Sequence, residues 1–226
     1  MADDIPRVFA DAIAADPARP LLTWYDDATG ERTELSGATL ANWVAKTANL
    51  LVDEVAAGPG SVAGMLLPPH WQTAAVLLGC WSAGLTVRTE PGPVDVLFAA
   101  ADRAPEADAW SAGERYALAL APFALPLREV PAGFADYVVE VRVHGDHFAP
   151  YPGGGAELVA RAARRAEELG LAPGDRVLVD AARHPDPVDW LLAPLSVRGS
   201  VVLCGNLDPT RLDSRLTTEK VTRPLA

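Results

Sequence analysis

The sequence predicts an α/β fold: a mainly parallel sheet with helices on both faces, two βαβ-containing halves and an N-terminal β-hairpin. Three observations carry this. Short apolar runs of strand length alternate with longer segments of helical period. LLTWYD and ERTEL flank the turn DATG, the pattern of a hairpin. And AGPGSVAGMLLPPHWQTAAVLLGCWSAGLTVRTEP can be laid over LAPGDRVLVDAARHPDPVDWLLAPLSVRGSVVLCGN. Each reads PG turn, apolar strand, proline-containing loop, helix, glycine, apolar strand. Pro59-Gly60 matches Pro173-Gly174, and Gly84 matches Gly199, at nearly the same offset. Strand–helix–strand units of this kind imply parallel pairing. The repeat is too long and too imperfect for a solenoid.

Taken in order, Ile5 to Ala15 reads as a helix with Ile5, Val8, Phe9, Ala12 and Ile13 on one face. DPARP breaks it, and the hairpin follows. Ser36 is placed to cap a helix from Gly37 to Val55. Ser61 to Leu67 is a strand, Gln72 to Ser82 a buried helix, LTVRT a strand and Pro93 to Ala101 a helix. The alanine- and proline-rich segment from Ala109 to Val130 gives no clear pattern. Tyr137 to Val143 alternates and reads as a strand. A glycine triplet opens a helix that runs to GLAPGD. Strand Arg176 to Asp180, a helix around Val188 to Ser196, strand Ser200 to Cys204 and a short last helix complete the chain. The expected organisation is a single α/β domain over 1–226, with a first half 1–107, a connecting segment 108–143 and a second half 144–226.

The chain has 226 residues, half of them hydrophobic, enough to build a sizeable core. Its formal net charge of −11 disfavours nucleic acid and anionic membrane as partners. That charge also gives no general attraction for ATP or coenzyme A, so a nucleotide site would need visible local cations. Lys46 and Lys220 are the only lysines. Cys80 and Cys204 lie far apart in apolar runs and read as buried reduced thiols, with no metal spacing. No signal-peptide pattern opens the sequence and no apolar run is long enough to span a bilayer. A cytoplasmic protein is expected.

Several polar groups invite a functional reading. His144, Asp146 and His147 would split across two sides of a strand and lack further ligands, so a polar loop is expected rather than a metal site. His184 and Asp186, with Asp189, follow a strand, and loops beyond strand C-terminal ends are where α/β proteins hold ligands. His70 occupies the equivalent loop of the first repeat. Both histidines are expected at one edge of the sheet; without a ligand they would cap loops and face water. Trp43, Trp71, Trp81 and Trp190 fall at core positions and read as packing. No GxSxG elbow and no Cys–His pair placed for catalysis occurs.

Four segments resemble the adenylate-forming enzymes: acyl-CoA synthetases, luciferases and peptide-synthetase adenylation domains. RPLLTWYDDATGERTELSGATLANWVAKTANLL resembles that family's opening strand pair and long helix. VAAGPGSVAGMLLPPHWQTAAVLLGCWSAGLTV resembles its next strand–helix–strand segment. GDHFAPYPGGG sits where the family carries its phosphate loop. AEELGLAPGDRVLV and LLAPLSVRGSVVLCGNLDP resemble the segments after that loop. The resemblance covers nearly the whole chain.

The departures from the family matter most. Its phosphate loop is rich in hydroxyls and carries a lysine, wrapping pyrophosphate with backbone N–H groups and an ammonium. Here YPGGGAELVAR keeps Gly153, Gly154 and Gly155 but neither hydroxyls nor lysine. The three glycines therefore read as the remnant of a phosphate loop, now a tight turn before a helix. Arg161 could replace the cation, yet Glu157 four residues earlier offers it a surface ion pair. The family's adenine and ribose motifs and its lid lysine have no counterpart. The resemblance thus implies a truncated, catalytically inactive member that works by binding or regulation, with no cofactor; ATP or AMP binding is open but not favoured. One alternative is one chain of a split ligase completed by a separate polypeptide. Another is an oligomeric scaffold with no ligand. A half-domain exposes apolar surface, so a homo-oligomer, most simply a dimer, is expected, and a protein partner is conceivable.

Overall fold

The computed structural model describes residues 4–152 and 155–225. It has two five-stranded sheets and divides into two compact units. The first is built from residues up to 40, Pro69–Ala74 and the chain from 155 onward; the second from Ala41–Pro68 and residues 75–152.

In the first unit, α1 (Ile5–Ile13) starts where Asp4 accepts the Arg7 N–H at 2.9 Å, with Pro6 in the first turn. Its apolar stripe, Ile5, Val8, Phe9 and Ala12, is buried. The hairpin forms as expected from β1 (Pro20–Asp26) and antiparallel β2 (Glu31–Ser36). β8 (Arg176–Asp180), β9 (Ser200–Gly205) and β10 (Arg223–Leu225) run parallel to β1 in the order β10-β8-β9-β1-β2. α5 (Ala156–Glu168), a π-helical turn Val188–Leu192 leading into α6 (Ala193–Ser196), and α7 (Leu212–Thr218) complete the unit.

The second unit holds an all-parallel sheet in the order β4-β3-β5-β6-β7. Its strands are Val62–Leu66, Thr86–Arg88, Pro93–Ala100, Ser111–Leu118 and Ala135–Asp136 for β3 to β7. α2 (Gly37–Asp53) begins in the first unit and continues into the second, its start capped by Ser36, which accepts the Thr39 N–H at 3.1 Å. α3 (Trp71–Ser82) also runs from one unit into the other and is buried along its length. Among the described residues no helix is long and apolar enough to cross a membrane.

The internal repeat is real, and its two copies lie in different sheets. β3-α3-β4 is one copy; β8, the π/α6 segment and β9 are the other. The matching glycines both lie against the turn that precedes the first strand. A Cβ on Gly84 would meet Pro59 at 3.0 Å, and one on Gly199 would meet the Asp175 carbonyl at 2.6 Å.

Two expected elements are corrected. Pro93 to Ala101 is not a helix but β5, a strand buried on both faces whose continuous apolar run hides its period. Tyr137 to Val143 is not a strand. It contains α4 (Tyr137–Val141), because Asp136 accepts the Val138 and Val139 N–H groups and caps a helix there. The unpatterned segment supplies β6 and a 3₁₀ turn at Pro122–Ala124.

Candidate functional site

Gly153 and Gly154 lie outside the described residues. Gly155 is the N-cap of α5, in the left-handed region at φ 83°, ψ 20°. A Cβ there would stand 2.7 Å from Ile5 Cδ1. Two independent constraints, backbone conformation and the approach of α1, thus demand glycine without any phosphate.

The loop after β8 closes on α5. Arg161 pairs with Asp186, not with Glu157 as its helical spacing suggested. Arg165 holds Asp189 through Nε and Nη2, and Glu168 through Nη1. His184 Nδ1 stands 3.2 Å from Asp189 Oδ2, so the carboxylate orients the ring. Hydrogen bonds from Arg165 hold the Asp189 carboxyl below the ordinary carboxylate range against the opposing effect of burial. Asp186 also accepts the Val188 N–H and so starts the π-helical turn. The two candidate residues of this loop, His184 and Asp186, are therefore brought together with α5.

His70 is placed differently from expectation. It follows a strand of the other sheet from His184, and it is buried rather than facing water, with 2% exposed. Its Nδ1 accepts the Gln72 N–H at 3.2 Å, which puts the proton on Nε2. The ring meets Trp24 edge-on, with centroids 4.7 Å apart. Burial pushes its pKa down to about 3, so it stays neutral. This is a packing histidine.

At the C-terminal ends of β1 and β9 lies a further cluster that sequence reasoning missed. Arg215 grips Asp27 through both terminal nitrogens, at 2.6 and 2.9 Å, and both side chains are buried. Arg211 lies 3.5 Å from Asp27, and Asp208 donates its backbone N–H to it. Hydrogen bonds from Arg215 hold the Asp27 carboxyl low. Cys204 lies beside Arg215, yet burial still pushes its thiol up to about 11. A second missed network faces α7. Glu219 accepts from Tyr25 at 2.6 Å, from Arg32 and from Arg176, which also reaches Thr23 and Ser200. A charged residue beside an apolar strand run, as at Asp27 and Arg176, was the available signal.

Electrostatically, this end of the sheet presents carboxylates, namely Asp26, Asp27, Asp186, Asp189 and Asp208. Arg161, Arg165, Arg211 and Arg215 are each bound to one or more of them, whereas Arg183, in the loop after β8, is exposed and holds none among the described residues. The arrangement locks loops to helices. It leaves a phosphate none of the four bound guanidinia without first displacing an acid. Among the described residues no group of three or more His, Cys, Asp or Glu side chains could hold a metal ion. His144 instead bonds Glu54 at 3.0 Å, behind α2.

The chain is 49% identical over 228 residues to a "TIGR03089 family protein" of Mycobacterium tuberculosis strain H37Rv, covering 94% of each. No protein-family model matches. Among solved structures it superposes on a Brucella canis acyl-CoA synthetase with a TM-score of 0.74 at 17% identity, covering 96% of this chain and 46% of that one. An acetoacetyl-CoA synthetase from Streptomyces lividans gives a TM-score of 0.71 at 16% identity, over 91% of this chain and 39% of that one. The anthranilate CoA ligase AuaEII gives 0.72 at 12% identity, over 98% and 49%. The chain thus spans about half the length of these ligases or less.

Proposed function

The chain belongs to the TIGR03089 family and folds as part of an acyl-CoA synthetase, and from this premise we propose that it is a non-catalytic relative of the adenylate-forming enzymes, acting by binding. One observation carries the reading. Arg161, Arg165, Arg211 and Arg215, the arginines that α5 and the last helical segments bring to the strand ends, each already hold a carboxylate. Adenylation needs cations free to stabilise charge developing on phosphate. Here they are spent on fixing loops, and Gly155 is accounted for by its turn and by Ile5.

The test is a thermal-shift titration of the purified chain with Mg-ATP, AMP and coenzyme A, alongside an assay of carboxylate-dependent ATP–pyrophosphate exchange. A ligand at about a hundred times its Kd stabilises by about 2.7 kcal/mol, which a melt resolves. The expected result is no nucleotide shift and no exchange. Exchange by the chain alone would overturn the reading.

The coverage of half a ligase favours one second reading, a split enzyme completed by another polypeptide. Exchange that appears only on adding such a chain would establish it. Either reading includes self-association as a way to cover apolar surface. Phe123, Val139 and Val143 are exposed, Val139 on α4 and Val143 just past it, and Arg142 between them bonds the Phe123 carbonyl. Sedimentation velocity at micromolar concentration should show a dimer that Val143→Asp dissociates. A monomer in the unmodified chain would remove self-association from the proposal.

A further inference from the structure

A crevice between α1, α5 and the end of α6 takes no part in the networks above. Its volume is about 370 Å³, and Val8, Val159, Ala163 and Leu195 line it together with Arg7, Asp11 and Arg198. Small-molecule sites run from about 300 to 1,000 Å³ and combine an apolar lining with a few placed polar groups. Val8 and Leu195 are buried, whereas Arg7, Asp11 and Arg198 are exposed at its mouth.

Two features set the crevice apart. First, among the described residues neither the Arg7 nor the Arg198 guanidinium holds a carboxylate. Arg32, Arg161, Arg165, Arg176 and Arg215 each do. In a chain of net charge −11, the crevice thus sets two guanidinia that hold no carboxylate beside an apolar lining. Second, Arg198 sits in the left-handed region, at φ 55°. By its bond to the carbonyl three residues earlier, Arg198 takes the place of Gly84 in the first repeat, at φ 78°, one residue before the glycine that the sequence alignment matches to it. A glycine would hold this turn at lower cost, since a non-glycine residue there costs on the order of 1 kcal/mol or more. The turn itself is fixed by backbone: Arg198 donates to the Leu195 carbonyl at 2.9 Å and accepts from Arg19 at 3.1 Å. The fold has no need of the arginine side chain for this.

With Asp11 counted, the mouth carries one net positive charge. We propose that this crevice binds a small organic monoanion with an apolar body, its charged group on Arg7 and Arg198 and its body against Val8, Val159 and Leu195. A guanidinium offers paired donors to a planar or tetrahedral oxyanion, so carboxylates and sulfonates share the required chemistry. The site is independent of the glycine turn and of whether the chain adenylates anything.

The experiment is calorimetric titration of the full chain with benzoate and hexanesulfonate, and with hexanol and hexylamine as neutral and cationic counterparts. The expected result is saturable binding of the anions, about tenfold or more tighter than the alcohol, no binding of the amine, and weakening with salt. Arg198→Gly removes the side chain while relieving the backbone, so this variant should melt no lower than the parent and bind about tenfold more weakly. Val159→Trp should abolish binding by filling the lining. Absence of saturable binding at millimolar anion overturns the proposal. So does equal binding of alcohol and anion, or unchanged anion affinity in Arg198→Gly.

Discussion

Arg165 clasps Asp189 with two nitrogens, Nε on Oδ1 at 2.8 Å and Nη2 on Oδ2 at 3.1 Å. The pair fastens the loop after β8 to α5, and Asp189 in turn orients His184. Asp189 is mostly shielded while Arg165 is a third exposed, with side-chain exposures of 17% and 33%. Solvent therefore screens part of the attraction. Arg165→Ala should cost about 1–2 kcal/mol, a fall in Tm of roughly 2–8 °C for a chain of this size. Arg161→Ala, whose ion pair with Asp186 lies in the open, should cost under about 1 kcal/mol. A melt of the two variants checks the order.

The Asp27–Arg215 pair is buried on both sides, with side-chain exposures of 4% and 6%. Removing one partner strands a buried charge, which costs about 3–5 kcal/mol. Asp27→Ala should therefore be among the most damaging single substitutions in the first unit. Arg215→Met combined with Asp27→Leu removes both charges and should recover much of the loss. Urea unfolding of Asp27→Leu, Arg215→Met and the double variant decides this, and an additive double variant would deny the coupling.

Acid stability follows from the same groups. Hydrogen bonds from Arg215 lower the Asp27 carboxyl and those from Arg165 lower Asp189. At Glu219 burial works against ionisation, but hydrogen bonds from Tyr25, Arg176 and Arg32 outweigh it. All three are depressed in the folded state. Each contributes in full above the ordinary carboxylate range, about pH 4. The contribution fades as pH falls through the folded values, because the unfolded chain takes up the protons first. The urea midpoint should hold from pH 7 to about 5 and drop steeply below about 4. Asp27→Asn should flatten that drop.

Much of this was legible in the sequence, for identifiable reasons. The hairpin, the βαβ repeat and the helices at Ile5, Gly37 and Ala156 followed from caps, turns and period. Pro93–Ala100 was misread because a strand buried on both faces loses its alternation, and VDVLFAA fits a buried helix as well. Tyr137–Val141 was misread because its β-branched residues favour strand, while tertiary burial of Tyr137, Val138 and Val141 favours one helix face. The sequence placed His184 and Asp186 in the loop after a strand, and the structure has them there. Their partner was not legible, because Arg161 and Arg165 meet them only through the fold. His70 looked equivalent to His184 by repeat, yet burial against Trp24 made it part of the core.

Inside the second unit, Tyr137 and Thr47 share a buried hydrogen bond of 2.7 Å between their hydroxyls. Thr47 also donates to the Trp43 carbonyl at 2.8 Å, so its oxygen accepts from Tyr137. The two deletions are therefore unequal. Tyr137→Phe leaves Thr47 with its donor satisfied and should cost about 1 kcal/mol. Thr47→Val leaves the fully buried Tyr137 hydroxyl without its acceptor and should cost about 1–3 kcal/mol. Equal losses in chemical denaturation would contradict this donor assignment.

Gly155 offers the sharpest test of what the glycine turn is for. Its left-handed backbone would cost an alanine about 1–2 kcal/mol. The added Cβ would also press on Ile5 Cδ1, in a side chain 1% exposed and unable to swing into solvent. Gly155→Ala should therefore destabilise by about 2–4 kcal/mol in total. Ile5→Val deletes the offending methyl at its own cost of about 0.5–1.5 kcal/mol. If the glycine is demanded by packing as well as by backbone, the double variant should be about 1 kcal/mol more stable than the sum of the singles. A strictly additive double variant would mean the Ile5 approach imposes no constraint. Only the backbone conformation, which a phosphate-binding turn also uses, would then explain the glycine.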